Sequence, residues 1–194
     1  MAQRYAPLHS KELEDIALEL ARKSIVHFLS IGRLSSGHRP HTAEELGLRC
    51  PEPFQSRLGV FVSLYVNGVL RGCIGDLQAE RPLERAIIAR AVDAASEDWR
   101  FEPLRQTELS ALRLELSILS VLHEGTVDEL ELGRHGVLLS KEGLAAVFLP
   151  QVAVEQGWSK PQMLSALCRK AGLRADDWRE GASFGLFEAQ VLSE

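Results

Sequence analysis

The sequence predicts an α+β fold built around a largely antiparallel sheet, with about six strands and four or five helices. Two hairpin patterns indicate the antiparallel sheet, because strands joined by very short turns must run in opposite directions. Helical patterns precede, separate and follow these hairpins. The 194 residues, 45% of them apolar, fit one domain, or one large and one small lobe, with a sizeable core.

The first predicted element is an amphipathic helix over 11–29, where apolar residues recur at helical spacing. Ser10 is its expected N-cap, and Gly32 is expected to end it. The polar segment 33–57, broken by glycine and prolines, follows as either a long connection or part of the smaller lobe. Its middle, 42–46, suits a short helical turn.

The clearest hairpin lies between two apolar runs, 61–66 and 69–74, which flank Asn67-Gly68. Asn-Gly between apolar runs is the strongest short hairpin signal, because both turn residues must accept positive φ. A two-residue turn of this kind also sets the register of the two strands. Val62 is therefore expected opposite Cys73.

By the same register Leu64 is expected opposite Arg71, so Arg71 and Cys73 would share the apolar face of the hairpin. A guanidinium on a core-like face needs an acid within reach. Glu115, in the next predicted strand, is the expected in-sheet partner of Arg71. Gly72 would lie on the opposite face.

The rest of the chain supplies the remaining elements, identified by prolines near helix starts, a capping box and strict apolar alternation. They are a helix over 82–96, a strand over 112–121, a hairpin of 136–140 and 144–149, a short helix from 150 to about 157, a helix over 160–171 and a terminal strand over 183–192.

Composition and charge exclude several classes of protein. A net charge of −5 argues against a broad nucleic-acid-binding face, which needs a basic excess. We expect neither a signal peptide nor a membrane span, because the start is charged and no run of about 18 apolar residues occurs. The three separated cysteines suit the reducing cytoplasm rather than a disulfide framework.

The stretch 70–75, Leu-Arg-Gly-Cys-Ile-Gly, is the most unusual part of the chain. It places a charged side chain, a thiol and two glycines within six residues of a predicted strand. Arginine is rarely buried without a partner, and a glycine inside a strand often marks the close approach of another backbone or a ligand. The stretch therefore predicts a site without naming a reaction.

This hexapeptide resembles the signature motif of the AMMECR family, in its stand-alone prokaryotic form. Further stretches resemble family blocks in the same order along the chain, so that the resemblance covers about 10–194. These are 98–103, 114–122, 133–136, 149–158 and 167–173. The resemblance implies a single AMMECR-type domain over 1–194 with two lobes, the larger one an antiparallel sheet flanked by helices.

The resemblance implies no known reaction and no cofactor. Prokaryotic members are associated with a Memo-type, dioxygenase-like protein and a radical SAM enzyme, the AmmeMemoRadiSam system. This implies an accessory or substrate-handling component that meets those proteins or an unknown small molecule. Two alternatives stay open, an enzyme that uses Cys73 as its nucleophile and a nucleic-acid-linked regulator, which the acidic charge disfavours.

Cys73 has two interpretations, a reactive thiol activated by Arg71 and a small residue packed in a strand. Arg71 with Glu115 is either a clamp for a substrate carboxylate or a structural ion pair. Gly72 and Gly75 are candidate substrate-binding positions, since glycines admit close approach. These residues form the first part of the candidate site.

Three further candidates come from loops. His135, between glycines at a strand entry, is a general-base candidate or a turn residue. Asp98 and Arg100 are either polar groups at a cleft rim or a loop-fixing ion pair. Trp99, Trp158 and Trp178 are expected to be packing anchors. No metal site is predicted, although two histidines lie in the stretch 37–41.

Overall fold

The structure, a computed structural model, describes residues 5–31, 42–78 and 80–194. Within these residues the fold is α+β, with antiparallel strands and flanking helices, as predicted. None of the helices in this described part is long and apolar enough to cross a membrane.

The chain forms two compact units. The first consists of residues 1–119 and 190–194, and the second consists of residues 120–189. The elements of the first unit are α1 (Lys11–Ile31), β1 (Gly59–Val66), β2 (Val69–Asp76), α2 (Leu83–Ser96) and β3 (Leu112–Leu119), with 3-10 turns at Glu44–Leu46, Glu52–Gln55 and Gln106–Ala111. In this unit β1 is paired antiparallel with both β2 and β3, and β2 is an edge strand.

The core of the first unit lies between the sheet and the two helices. Alternate residues of β1 and β3 point into it, as the period of two in a strand requires. Each of these side chains is at most 1% exposed, and each contributes about 1.5–3 kcal/mol by leaving water. They are Val60, Val62, Leu64, Leu114, Leu116 and Ile118.

The first hairpin forms with the predicted two-residue turn. Asn67 and Gly68 have φ values of 52° and 78°, and Val66 is paired with Val69. Both turn residues therefore occupy the left-handed region that the Asn-Gly signal predicts.

The register beyond the turn differs from the prediction, because β2 contains a β-bulge. Tyr65 is paired with Leu70, but Leu64 is paired with Gly72. Arg71 is thus an extra residue of β2, and a bulge of this kind shifts all later pairs by one residue. The predicted pairing of Leu64 with Arg71 is wrong for this reason.

The bulge reverses the faces of the following residues. Cys73 is opposite Ser63 rather than Val62, so it leaves the apolar face to which it was assigned. Gly72 takes its place on the core side of the sheet. A Cβ on Gly72 would lie 2.1 Å from the carbonyl oxygen of Ala94, in the last turn of α2. The helix backbone therefore packs directly against this glycine.

Gly75 has a similar packing reason on the other face. It is paired with Phe61, and a Cβ on Gly75 would overlap the Phe61 ring and Cα. The aromatic ring thus covers the glycine across the strand pair. Packing accounts for both glycines of the hexapeptide, and their role in substrate binding stays a prediction.

The described part of the polar segment, 42–57, belongs to the larger unit rather than to a smaller lobe. The reason is burial, since Ala43 and Phe54 are 3% and 0% exposed and lie in the core of the first unit. The rest of the segment, including His38 and His41, lies outside the described residues.

The elements of the second unit are β4 (His123–Gly125), β5 (His135–Lys141), β6 (Leu144–Phe148), α3 (Pro150–Glu155), α4 (Lys160–Lys170) and β7 (Ser183–Ser193), whose residues 190–193 fall in the first unit. Here β5 is paired antiparallel with β6 and β7, and the short β4 is also paired with β7. The core of this unit is lined by apolar residues of β5, β6, β7 and α4.

The predicted second hairpin and the predicted capping box are confirmed. Lys141 is paired with Leu144, so the turn has two residues rather than the expected three. Ser159 donates a 2.8 Å hydrogen bond from its hydroxyl to the side chain of Gln162 at the start of α4. The strand β4 was not predicted, because three residues are too few for a periodic pattern.

Candidate functional site

The main chain of Cys73 is held from outside the sheet by residues 97–103, which we call the edge loop. The Cys73 N–H donates a 2.8 Å hydrogen bond to Asp98 Oδ2. Arg100 Nη2 donates a 3.1 Å hydrogen bond to the Cys73 carbonyl oxygen. Both backbone polar groups of this edge-strand residue are thus satisfied by side chains, which blocks the pairing of another strand here.

Asp98 is the buried centre of this arrangement, with its side chain 4% exposed. It accepts hydrogen bonds from Arg100 Nε at 2.9 Å and from Arg100 Nη2 at 2.7 Å. These hydrogen bonds from Arg100 lower the pKa of Asp98, with help from the Cys73 N–H and against the effect of burial. In return Asp98 raises the pKa of Arg100. The ion pair fixes the edge loop, while a role at a cleft rim stays a prediction.

The depressed pKa of Asp98 predicts a loss of stability in acid. A folded-state pKa below the ordinary 3.8 contributes stability that is present above pH ~4 and is lost as pH falls through the folded-state pKa. We expect Asp98→Asn to be less stable than wild type at pH 7. We also expect it to lose less stability than wild type when the pH falls from 5 to 3. Thermal unfolding followed by circular dichroism across this range measures both effects.

The matched control is Asp15→Asn, which changes a side chain that is 61% exposed on α1. It should retain the wild-type dependence on pH. An Asp98→Asn protein with the full wild-type acid sensitivity would contradict the assignment to Asp98.

The Cys73 thiol lies in a row of polar side chains across three strands. Ser63 Oγ donates a hydrogen bond to Cys73 Sγ at 3.3 Å. Glu115 is paired with Ser63 from the other side, so the three residues share one face of β2, β1 and β3. A hydroxyl that donates to sulfur stabilises a thiolate. We call Cys73, Ser63 and Glu115 the thiol row.

Arg71 forms its ion pair with Glu108, not with Glu115 as predicted. Its Nε donates to Glu108 Oε1 at 2.9 Å, and its Nη2 donates to Oε2 at 3.3 Å. The guanidinium also donates to the carbonyl oxygens of Glu102 and Pro103. The physical reason is the bulge, which takes Arg71 out of the regular alternation of β2.

Glu108 was missed because it lies in a short 3-10 turn rather than in a strand. It also accepts a 2.8 Å hydrogen bond from the N–H of Arg105. Burial opposes ionisation of Glu108, but the Arg105 N–H and Arg71 together hold its pKa below the ordinary value. The sequence carried no helix-start signal here, because the capping-box signature needs Ser, Thr, Asp or Asn where Arg105 stands.

His135 lies in the second unit, at the start of β5. Its Nδ1 accepts a 3.2 Å hydrogen bond from the N–H of Glu131, across a turn in which Gly133 has a φ of 81°. This contact is the one expected of a turn residue. The first unit thus brings together Arg71, Cys73, Asp98, Arg100 and Glu115, whereas the role of His135 as a general base stays a prediction.

Trp99 is 92% exposed, so its prediction as a packing anchor is wrong. The flanking residues explain why the Trp99 side chain is exposed. Asp98 and Arg100 form hydrogen bonds with the edge of β2, so Trp99 lies at the tip of the loop. The same prediction is confirmed for Trp158 and Trp178, which pack against the core of the second unit.

Metal-ligating residues do not gather in the described ranges 5–31, 42–78 and 80–194. No group of three or more histidine, cysteine, aspartate or glutamate residues there is arranged to hold an ion. The geometry of the site around Cys73 is instead that of a half-buried thiol beside hydrogen-bonding and charged groups.

Known proteins are similar to this chain over most of its length. The sequence model of the AMMECR1 family matches residues 18–192. Protein Mbar_A1807 of Methanosarcina barkeri is 37% identical over 184 residues, which cover 92% of this chain and 88% of that protein. Protein MK0488 of Methanopyrus kandleri is 36% identical, with 93% and 87% covered.

A solved structure has the same fold. The crystal structure of uncharacterized protein PH0010 from Pyrococcus horikoshii is similar with a TM-score of 0.83 and 30% sequence identity. The similarity covers 95% of this chain and 93% of that chain. By sequence and by fold, this chain belongs to the AMMECR1 family.

Proposed function

We propose that this chain is an accessory, substrate-handling protein of the cytoplasm that presents the Cys73 thiol at a fixed position. The observation that carries the proposal is the double anchoring of Cys73. Asp98 and Arg100 hold its main chain, while its thiol lies beside the Ser63 hydroxyl on a partly exposed face. A thiol fixed in this way is suited to bind a substrate group for chemistry that a second protein performs.

The surroundings of Cys73 support this role. The Arg100 guanidinium donates a 3.1 Å hydrogen bond to the Cys73 carbonyl oxygen, so a cation lies beside this residue. A cation near a cysteine favours the thiolate form, which is the nucleophile and the better ligand. Glu115 at the other end of the thiol row adds an acceptor for a polar substrate.

The other two cysteines provide an internal comparison. Burial raises the pKa of Cys168, which is 0% exposed. Burial and the charge of Glu84 raise the pKa of Cys50 to about 12. Both thiols are therefore protonated near neutral pH. Cys73 differs in its surroundings, because it is half-buried and lies beside the Arg100 guanidinium and the Ser63 hydroxyl.

We expect iodoacetamide to alkylate Cys73 at least about tenfold faster than Cys168 at pH 8, because only thiolates react at a useful rate. Peptide mapping of the native protein at successive times measures the three rates separately. Ser63→Ala should slow the reaction of Cys73 alone, since it removes the hydrogen bond to sulfur.

Cys73→Ser is the control, and it should abolish the fast phase while the slow reactions of Cys50 and Cys168 persist. A Cys73 that reacts no faster than Cys168 would contradict the proposal. The same result would exclude the alternative in which Cys73 is the nucleophile of an enzyme, which the hydrogen bond from Ser63 favours.

The family resemblance suggests two partner proteins for this accessory role, a Memo-type protein and a radical SAM enzyme. Titration calorimetry of the purified chain with each of these proteins from the same genome tests the association. A salt-dependent shift with RNA or DNA would instead support the nucleic-acid alternative, which the charge of −5 disfavours.

A further inference from the structure

The edge loop is held rigidly at several points, so its tip has a defined position. The N–H of Leu104 donates a 2.7 Å hydrogen bond to the carbonyl oxygen of Ala95, which closes the base of the loop. Arg71 binds the carbonyl oxygens of Glu102 and Pro103 on one side. These contacts add to the anchoring of the loop through Cys73.

Trp99, at the tip of this rigid loop, is almost fully exposed at 92%. A tryptophan side chain buries about 150–250 Å² when it is covered, and tryptophan is among the residues most enriched in binding hot spots. Because the loop is already ordered, covering Trp99 costs little additional conformational entropy. The loop therefore has the properties of a preformed anchor for a partner.

The charges around Trp99 indicate the chemistry of that partner. Glu97 and Glu102 are exposed on either side of it, and the charge of Arg100 is balanced by Asp98. The Glu102 carboxylate makes no ion pair with any residue in the described part of the chain. The edge loop, with three acidic residues and one arginine, thus carries a formal net charge of −2, in a chain whose net charge is −5.

We propose that Trp99 anchors a docking surface for a folded protein that accepts the indole in an apolar pocket ringed by lysine and arginine. Charge complementarity selects this partner. Nucleic-acid phosphates would be repelled by the net negative charge of the edge loop, and a second copy of the chain would bring the same negative charge against it. The inference rests on the accessory role proposed above, and it specifies the surface chemistry of the partner protein.

Photo-crosslinking in the organism's own cells tests the surface in the full chain. p-Benzoylphenylalanine is placed at Trp99, with the 69% exposed Val69 at the start of β2 as the matched control position. We expect one protein to be crosslinked from position 99 and not from position 69. Mass spectrometry identifies it, and the purified protein is then titrated calorimetrically.

Trp99→Ala should weaken the affinity of that purified protein at least about 30-fold, as expected for a hot spot. Trp99→Phe should give an intermediate loss, and Glu102→Gln a smaller loss with a weaker dependence on salt. Circular dichroism and the Tm of these variants should match wild type, because the changed side chains are exposed.

Equal affinity of Trp99→Ala and wild type for the partner overturns the inference. A crosslink from position 99 to nucleic acid or to a second copy of the chain also overturns it, and so does a crosslinking yield no higher than that of the Val69 control. Cys73→Ser should bind the partner as wild type does. Since alkylation of Cys73 tests the accessory role in the absence of any partner, failure of the docking surface and failure of the proposed function give different results.

Discussion

Replacing Gly72 with alanine is expected to lower the free energy of unfolding by about 3 kcal/mol, at the upper end of the usual cost of overpacking. The new Cβ would lie 2.1 Å from the carbonyl oxygen of Ala94, far inside van der Waals contact. Backbone cannot rotate away as a side chain does, so the end of α2 must move off the sheet. The Tm should fall by about 6–12 °C, by calorimetry or circular dichroism.

Two variants make this prediction specific. Val69→Ala, at a 69% exposed position of the same strand, should change stability by less than about 0.5 kcal/mol. Ala94→Gly should not rescue Gly72→Ala, because the obstructing atom belongs to the main chain. A Gly72→Ala protein with wild-type stability would show that α2 does not pack on β2 in this way.

Replacing Arg71 with leucine is expected to destabilise the protein by about 2–3 kcal/mol, since it leaves a mostly buried carboxylate without its partner. The side chains of Arg71 and Glu108 are only 19% and 22% exposed. The change also removes the donors to the carbonyl oxygens of Glu102 and Pro103. Arg71→Lys should have an intermediate stability, because lysine keeps the positive charge but lacks the planar guanidinium that can bind both carboxylate oxygens. Urea unfolding measures the difference.

A double-mutant cycle identifies the partner of Arg71. Arg71→Leu with Glu108→Gln should show a coupling energy of about 1–2 kcal/mol, as expected for directly paired side chains. The cycle with Glu115→Gln should show a smaller coupling. A larger coupling energy of Arg71 with Glu115 than with Glu108 would support the predicted in-sheet pair instead of the observed one.

Arg71→Leu also separates a structural role from a functional one. Destabilisation with normal Trp99-dependent binding in the folded fraction assigns Arg71 to holding the edge loop. A variant of wild-type stability that has lost partner binding or Cys73 reactivity would assign Arg71 to the functional surface, as a carboxylate clamp.

Most secondary structure was predictable because its causes are local. The Asn67-Gly68 turn follows from the φ values that these two residues tolerate, and the start of α4 follows from the capping box at Ser159. The short β4 and the 3-10 turn of Glu108 were not predictable in the same way, since three to six residues carry no clear period.

The contacts of the candidate residues were only partly predictable. The hexapeptide 70–75 stays the candidate site, and Cys73, Asp98 and Arg100 meet there. The pairing of Arg71 with Glu115 failed because one extra residue in β2 reversed the alternation on which that inference depended. Ser63, the hydrogen-bond donor to the Cys73 thiol, was missed for the same reason.

The sequence by itself determined the α+β class, the hairpins, the helices and the family, because periodicity, turn chemistry and family motifs are properties of neighbouring residues. Only the tertiary structure decided which contacts the hexapeptide makes. Packing of α2 against Gly72 is accommodated by the bulge at Arg71, and the bulge in turn directs Arg71 to Glu108 and Cys73 to Ser63. The exposure of Trp99 follows from the same contacts between distant segments, which no local pattern encodes.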